Sequence, residues 1–205
     1  MLIALGLALE IAGLLDAGQL LAIAHGYAQH WWLIPLLILA QSVLFTFALA
    51  GSVFLWIAAP LYSPAMATFI LAAGGTLGGL GAYFFSGYLT EEWTEKIKNS
   101  HGYRLLQAQD NFLSLFAMRV FPAFPHSVVN YSSGILQVRL SHFVFAAVLG
   151  ISIKSYIYAS VIHSASTALS MDMLFDLSVI GPLIALSVLS AVGVYVNYRL
   201  TRKQS

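Results

Sequence analysis

Apolar residues run through this chain in blocks far longer than an amphipathic helix or a half-buried strand needs. Between Asp16 and Glu91 there is no Asp, Glu, Lys or Arg, although about 20 apolar residues suffice to cross a bilayer core. The blocks predict membrane helices over about residues 1–24, 33–60, 65–89, 141–163 and 177–198. A further block at 112–120 is too short to span alone. Between the first two blocks stand His25, Gly26, Gln29, His30, Trp31 and Trp32, a polar and aromatic cluster suited to a membrane surface.

Proline interrupts the pattern at two corresponding places. Pro60 and Pro64 lie four residues apart before a long apolar block, and Pro122 and Pro125 lie three apart before another. Each pair removes backbone donors where no water replaces them, so such turns are tolerated at membrane depth only under cover of protein or beside a wet cavity. Broken segments at matching positions in two halves point to inverted repeats. The expected fold is therefore all-α: a polytopic helical bundle with two proline-broken re-entrant segments in an inverted repeat, forming a single transmembrane domain over residues 1–205.

Within the 65–89 block, Gly74 and Gly78, like Gly75 and Gly79, are spaced i, i+4, which predicts close helix packing. After it comes a run with Glu91, Glu92, Glu95, Lys96, Lys98 and Arg104, with Trp93 and Tyr103 interleaved. This reads as one amphipathic helix outside the core, capped by Thr90.

Composition sharpens this picture. Of 205 residues 60% are hydrophobic and 8% charged, against about a quarter charged in soluble domains. A net charge of +1 provides no field for nucleic acid. Cysteine is absent, which removes disulfides, thiolate metal sites and a cysteine nucleophile. The N-terminal Met1-Leu2-Ile3-Ala4-Leu5 lacks a basic n-region and is read as retained first-helix sequence. Arg199, Arg202 and Lys203 assign the C-terminus to the cytoplasm, together with Lys96, Lys98 and Arg104, and set Asp172 and Asp176 on the other side.

Few residues carry chemistry. Arg119 stands in an apolar stretch with no acid nearby in sequence; a guanidinium does not shed its proton, so it needs a carboxylate, carbonyls, water or a lipid phosphate. Glu10 and Asp16, about 120° apart around a helix, are candidate ion-pair or proton-carrying carboxylates. Asn130, Tyr131, Ser132, Ser133 and Gly134 form a polar, turn-prone stretch. Lys154 lies mid-helix, where it is read as lining a cavity. His126, His142 and His163 lack metal-ligand spacing, and Ser132-Ser133-Gly134 is no nucleophile elbow. No enzymatic activity, metal or cofactor is expected.

The sequence Arg119-Val120-Phe121-Pro122-Ala123-Phe124-Pro125, followed by Asn130-Tyr131-Ser132-Ser133-Gly134, resembles the VTT-domain proteins of the DedA superfamily, in the branch related to Golgi tethering and SNARE-associated proteins. The stretch from Tyr62-Ser63-Pro64 through Gly74 to Tyr88 and the helix containing Phe143 to Gly150 are similar too, so the resemblance covers about residues 50–165. It implies two facing re-entrant helices, a bacterial inner (plasma) membrane location, and scrambling or translocation of phospholipids or lipid-linked phosphate carriers, with proton coupling in some members. The site residues it implies are Arg119, Pro122, Pro125, Asn130 and Gly134, with Lys154 added from the reading above. The chain departs from the family pattern where Pro125 replaces a second arginine, where the first broken segment lacks acids, and where Ile153 stands in place of a proline. Membrane lipids are the expected partners, with self-association left open. A proton-coupled transporter of small solutes or ions, and a scaffold that moves nothing, are the alternatives.

Overall fold

The computed structural model describes residues 26–49, 51, 53–108, 111–121 and 124–167, together with positions 181, 184, 187 and 188. The helices expected over 1–24 and 177–198 fall outside the described residues apart from those last four positions, as do Glu10, Asp16 and Pro122. Among the described residues every regular element is helical. They are α1 (Leu33–Thr46), α2 (Val53–Leu61), α3 (Pro64–Phe85) with a 3-10 turn at Ser86–Tyr88, α4 (Glu91–Lys98), α5 (His101–Ala108), α6 (Phe112–Val120), α7 (His126–Ile135) and α8 (Leu140–Thr167).

Two stretches, Pro64–Tyr88 and Leu140–Ser166, are long and apolar enough to cross a membrane. At 25 and 27 residues they reach roughly 37 and 40 Å, beyond the ~30 Å hydrocarbon core. Phe69, Leu77 and Phe84 on α3, and Phe145 and Leu149 on α8, remain exposed, as lipid-facing side chains must be. On α1 the stripe Leu36, Leu39, Val43 is exposed while Leu37 and Gln41 are buried. A helix apolar on its outward face as well as its inward one belongs in lipid.

Local chemistry sets the boundaries. Ser63 accepts the N–H of Met66 at 3.4 Å and Pro64 occupies the first helical position, where a missing donor costs nothing. The first proline pair therefore straddles a break at Tyr62 and Ser63, with Pro60 inside the last turn of α2.

The 33–60 block is two helices. Ala48 adopts φ 57°, and hydrogen bonds from Leu49 N–H to Leu44 O at 2.8 Å and Gly51 N–H to Leu49 O at 2.7 Å close the break. A left-handed alanine costs about 1 kcal/mol, offset here by those bonds.

The amphipathic run is also two helices, parted at Asn99 and Ser100, where Ser100 Oγ accepts the N–H of Tyr103 at 3.2 Å and starts a new helix. Only α4 lies outside the core; Tyr103 and Leu106 of α5 are buried. Thr90 occupies the cap position of α4 without a side-chain hydrogen bond.

The long helix α3 is the centre of the fold, packed along α1, α7 and α8. One apolar cluster joins α1, α2, α3 and α8 through Leu37, Phe54, Ala58, Ile70, Leu71 and Ala159. Another joins α5 to α8 through Leu106, Leu115, Met118, Val129 and Ala146. The candidate site lies where α3, α6, α7 and α8 meet.

Candidate functional site

Glycines let the helices of this region approach closely. On α3, Gly74, Gly78 and Gly81 form one row against α1. A Cβ at Gly74 would stand 2.5 Å from Gln41 Oε1, one at Gly78 would stand 2.6 Å from the Ser42 carbonyl, and one at Gly81 would strike Thr46. Gly75 and Gly79 face elsewhere: added Cβ atoms there lie 3.1 Å from Ile151 Cδ1 on α8 and 3.1 Å from Asn130 Oδ1 on α7. The four glycines singled out in the sequence thus serve contacts with three helices, α1, α8 and α7. At Gly134 a Cβ would collide with the Tyr83 carbonyl and Ser86 Oγ, so α7 crosses the end of α3 almost backbone to backbone.

The stretch Asn130 to Gly134 is not a turn. It lies inside α7 and every one of its residues is buried. Ser133 Oγ donates to the Val129 carbonyl one turn back at 2.7 Å, which satisfies the hydroxyl within the helix rather than in a loop. The turn comes later, at Leu136 and Gln137, where Gln137 takes φ 50°.

Arg119 sits in the last turn of α6 with 1% of its surface exposed. Its Nε, Nη1 and Nη2 have no hydrogen-bond partner among the described residues. Its Cζ lies 4.8 Å from the centroid of the Phe143 ring, a cation–π contact that compensates only part of the desolvation of a guanidinium. The stem is accommodated because position 150 on α8 is glycine: a Cβ there would fall on Arg119 Cβ and lie 3.3 Å from the Phe116 carbonyl.

Along α8, Phe143, Gly150 and Lys154 lie seven and four residues apart, one helical face. Lys154 Nζ donates to His126 Nε2 at 2.7 Å, and both line a cavity of about 310 Å³ with Gln41, Pro125, Ser155 and Tyr158. The positive charges of Arg119 and Lys154 both act on His126. Buried acceptors without partners stand in the same bundle: Asn130 Oδ1, Ser132 Oγ and Thr76 Oγ1.

The structure thus brings Arg119, Pro125, Asn130 and Lys154 to one region, with Gly134 at the far end of α7. Sequence reasoning passed over His126, Phe143 and Gly150 as members of it. The stripe Phe143, Gly150, Lys154 was the available signal for two of them; nothing in sequence pairs His126 with a lysine 28 residues away. Chemically, a guanidinium, an ammonium and an imidazole in one region form an interior suited to an anion that shares protons, such as a phosphate.

Comparison with known proteins agrees with this architecture. The chain is 26% identical over 152 residues to a protein named Transmembrane protein 41 homolog from Caenorhabditis elegans, covering 70% of this chain and 61% of the relative. It therefore spans less than two thirds of that relative's length. No solved structure matches. The sequence model of the VTT domain matches residues 18–164, beginning ahead of the region over which the motifs are similar and holding α1 to α7 and most of α8. On that match the chain belongs to the VTT domain family of membrane proteins.

Proposed function

We propose that this protein moves phosphate-bearing lipids, phospholipid or lipid-linked carrier, between the leaflets of a bacterial inner membrane. The observation that carries the reading is the Arg119 guanidinium, buried and without a hydrogen-bond partner among the described residues. Unpaired buried charge is costly, and a lipid phosphate passing through the bundle supplies the bidentate acceptor it lacks. Lys154, which lines the neighbouring cavity, and the unpartnered Asn130 Oδ1 and Ser132 Oγ add polar groups to the same bundle.

The path rests on two re-entrant segments related as an inverted repeat. Support comes from length: α2 and α6 have nine residues each, about 14 Å; α2 is followed by the 22-residue α3, and α6 by the ten-residue α7 and then α8. The protein is multi-pass in this reading, with the α4 side and the C-terminus in the cytoplasm, and self-association is compatible with it.

Reconstituted vesicles test the proposal. A fluorescent phospholipid should become accessible to an impermeant reductant faster than in protein-free vesicles, and Arg119→Met should slow it at least about tenfold, as loss of a charge-assisted contact worth ~1.5–3 kcal/mol predicts. A wild-type rate equal to that of empty vesicles would sink the proposal. Intact cellular function in an inserted Arg119→Ala variant would favour a scaffold.

A second reading, proton-coupled transport of small solutes or ions, is favoured by the Lys154–His126 contact at 2.7 Å. It requires an unprotonated Nε2, so a proton arriving there breaks it. Uptake indifferent to a pH gradient, and to His126→Gln, Glu10→Gln or Asp16→Asn, counts against that reading.

A further inference from the structure

A second cavity of about 430 Å³, sharing no lining residue with the Lys154 cavity, lies between α4 and α7. Its walls are aromatic and aliphatic, with Phe47, Phe85, Tyr88, Ile97 and Val128 contributing. This is within the usual size of small-molecule sites, ~300–1,000 Å³, and has their mostly apolar character.

The charges of α4 are sorted around it. Trp93, Lys96 and Ile97 of α4 line the cavity, and their spacing of three and one residues is a single helical face; Ser100, past the end of α4, lines it too. Glu91, Glu92, Glu95 and Lys98 line a separate surface depression. Among the described residues lining the cavity Lys96 is the one that is charged, and its Nζ is held 5.2 Å from the Trp93 ring centroid. Ser100 and Ser127 add hydroxyls beside it. No residue of α4 is fully buried, although the helix touches α5 and α7, so its apolar face is only partly covered by protein. Tyr88 and Trp93 are 81% and 54% exposed, which sets the mouth at headgroup level.

We propose that this groove binds one anionic glycerophospholipid, with an acyl chain among Phe85, Tyr88 and Val128 and the phosphate at Lys96, Ser100 and Ser127. Hydrocarbon walls call for a lipid tail, and a lysine in the lining, with Glu91, Glu92 and Glu95 turned to the separate depression, calls for a net negative headgroup. A resident lipid also supplies the surface on which α4 lies. Ser127, Val128 and Tyr131 of α7 line this groove while His126 of the same helix lines the other cavity. The docked headgroup is then about one helix diameter, ~10 Å, from the basic cluster. The inference requires membrane residence but not transport, so a failed flux assay leaves it standing.

The test is native mass spectrometry of the purified full chain, equilibrated with equal phosphatidylglycerol and phosphatidylcholine. One phosphatidylglycerol should be retained; Lys96→Glu should lower that retention about fivefold or more, and Lys98→Glu on the opposite face should leave it unchanged. Val128→Trp should reduce lipid retention in protein that stays monodisperse. A phosphatidylglycerol bearing an acyl-chain diazirine should label Phe85, Tyr88 or Val128. Equal retention of the two lipids, equal losses in the two lysine variants, or labelling elsewhere overturns the proposal. So does a groove occupied by a second copy of the chain.

Discussion

Two buried polar regions of this molecule are built on opposite terms. Where α1 meets α3, polar side chains are engaged: Ser42 Oγ donates to the carbonyls of Ile38 at 2.6 Å and Gly74 at 3.2 Å. Thr46 Oγ1 reaches Ser42 at 2.8 Å and Gly78 at 3.3 Å, and Gln41 Nε2 donates to Leu71 at 3.4 Å. Among the described residues only Gln41 Oε1 goes without a partner there. Where α6, α7 and α8 meet, Arg119, Asn130 Oδ1 and Ser132 Oγ have none among the described residues. Small residues permit both arrangements, but in the first they bring backbone carbonyls within reach of hydroxyls, and in the second they make room for a cation. The first region holds the bundle together. The second leaves a buried guanidinium without a hydrogen-bond partner among the described residues, a cost that a carboxylate or another anion beside it would relieve.

That contrast can be broken at either end. The largest effect belongs to Gly78→Val, whose Cβ must displace the Ser42 backbone. It should cost about 3 kcal/mol or prevent accumulation of folded protein, read as loss of monodisperse protein in detergent or a lowered unfolding midpoint. Next comes Arg119→Met, which should raise the unfolding midpoint by the equivalent of about 2 kcal/mol while slowing lipid flux. A loss of stability instead would identify a carboxylate partner, Glu10 or Asp16 being the candidates, and dissolve the contrast. Thr46→Val should destabilise by about 1 kcal/mol, because a bonded hydroxyl is replaced by a methyl and carbonyls lose a donor. Ser132→Ala should be the smallest, within about 0.5 kcal/mol of wild type, since its hydroxyl has no bond to lose. Equal effects of the last two would show that the polar groups of the two regions are equivalent after all.

The parts legible in the sequence are those set by long runs and by residue types with one conformational meaning. The length and apolarity of residues 65–89 and 141–163 find α3 and α8, and Ser63-Pro64 marks where α3 starts. The break at Ala48 had no such mark: it uses an ordinary residue in an unusual backbone conformation, and Gly51 alone is a weak signal. Asn130 to Gly134 misled in the other direction. Composition suggested a turn, but a serine that bonds the preceding helical turn is compatible with a buried helix when small side chains face a crossing partner. Arg119 was identifiable because charge is rare in an apolar stretch, whereas its neighbours Phe143 and Gly150, more than 20 residues away in sequence, are products of tertiary packing. The same holds for the pairing of His126 with Lys154.

At the crossing of α6 and α8, the space that a Cβ at position 150 would occupy is already filled by Arg119 Cβ. Shortening the arginine does not relieve this, since every residue but glycine retains that atom; one of the two positions must be glycine for the helices to meet as they do. Mechanically such a contact is a pivot. A crossing in which one side chain's Cβ fits the space over a glycine can rotate about that point but cannot slide through it without opening it. A conducting rearrangement that keeps this crossing therefore carries Arg119 with α8 and places relative displacement on α7, whose Asn130 and His126 approach or leave a cation that stays where it is.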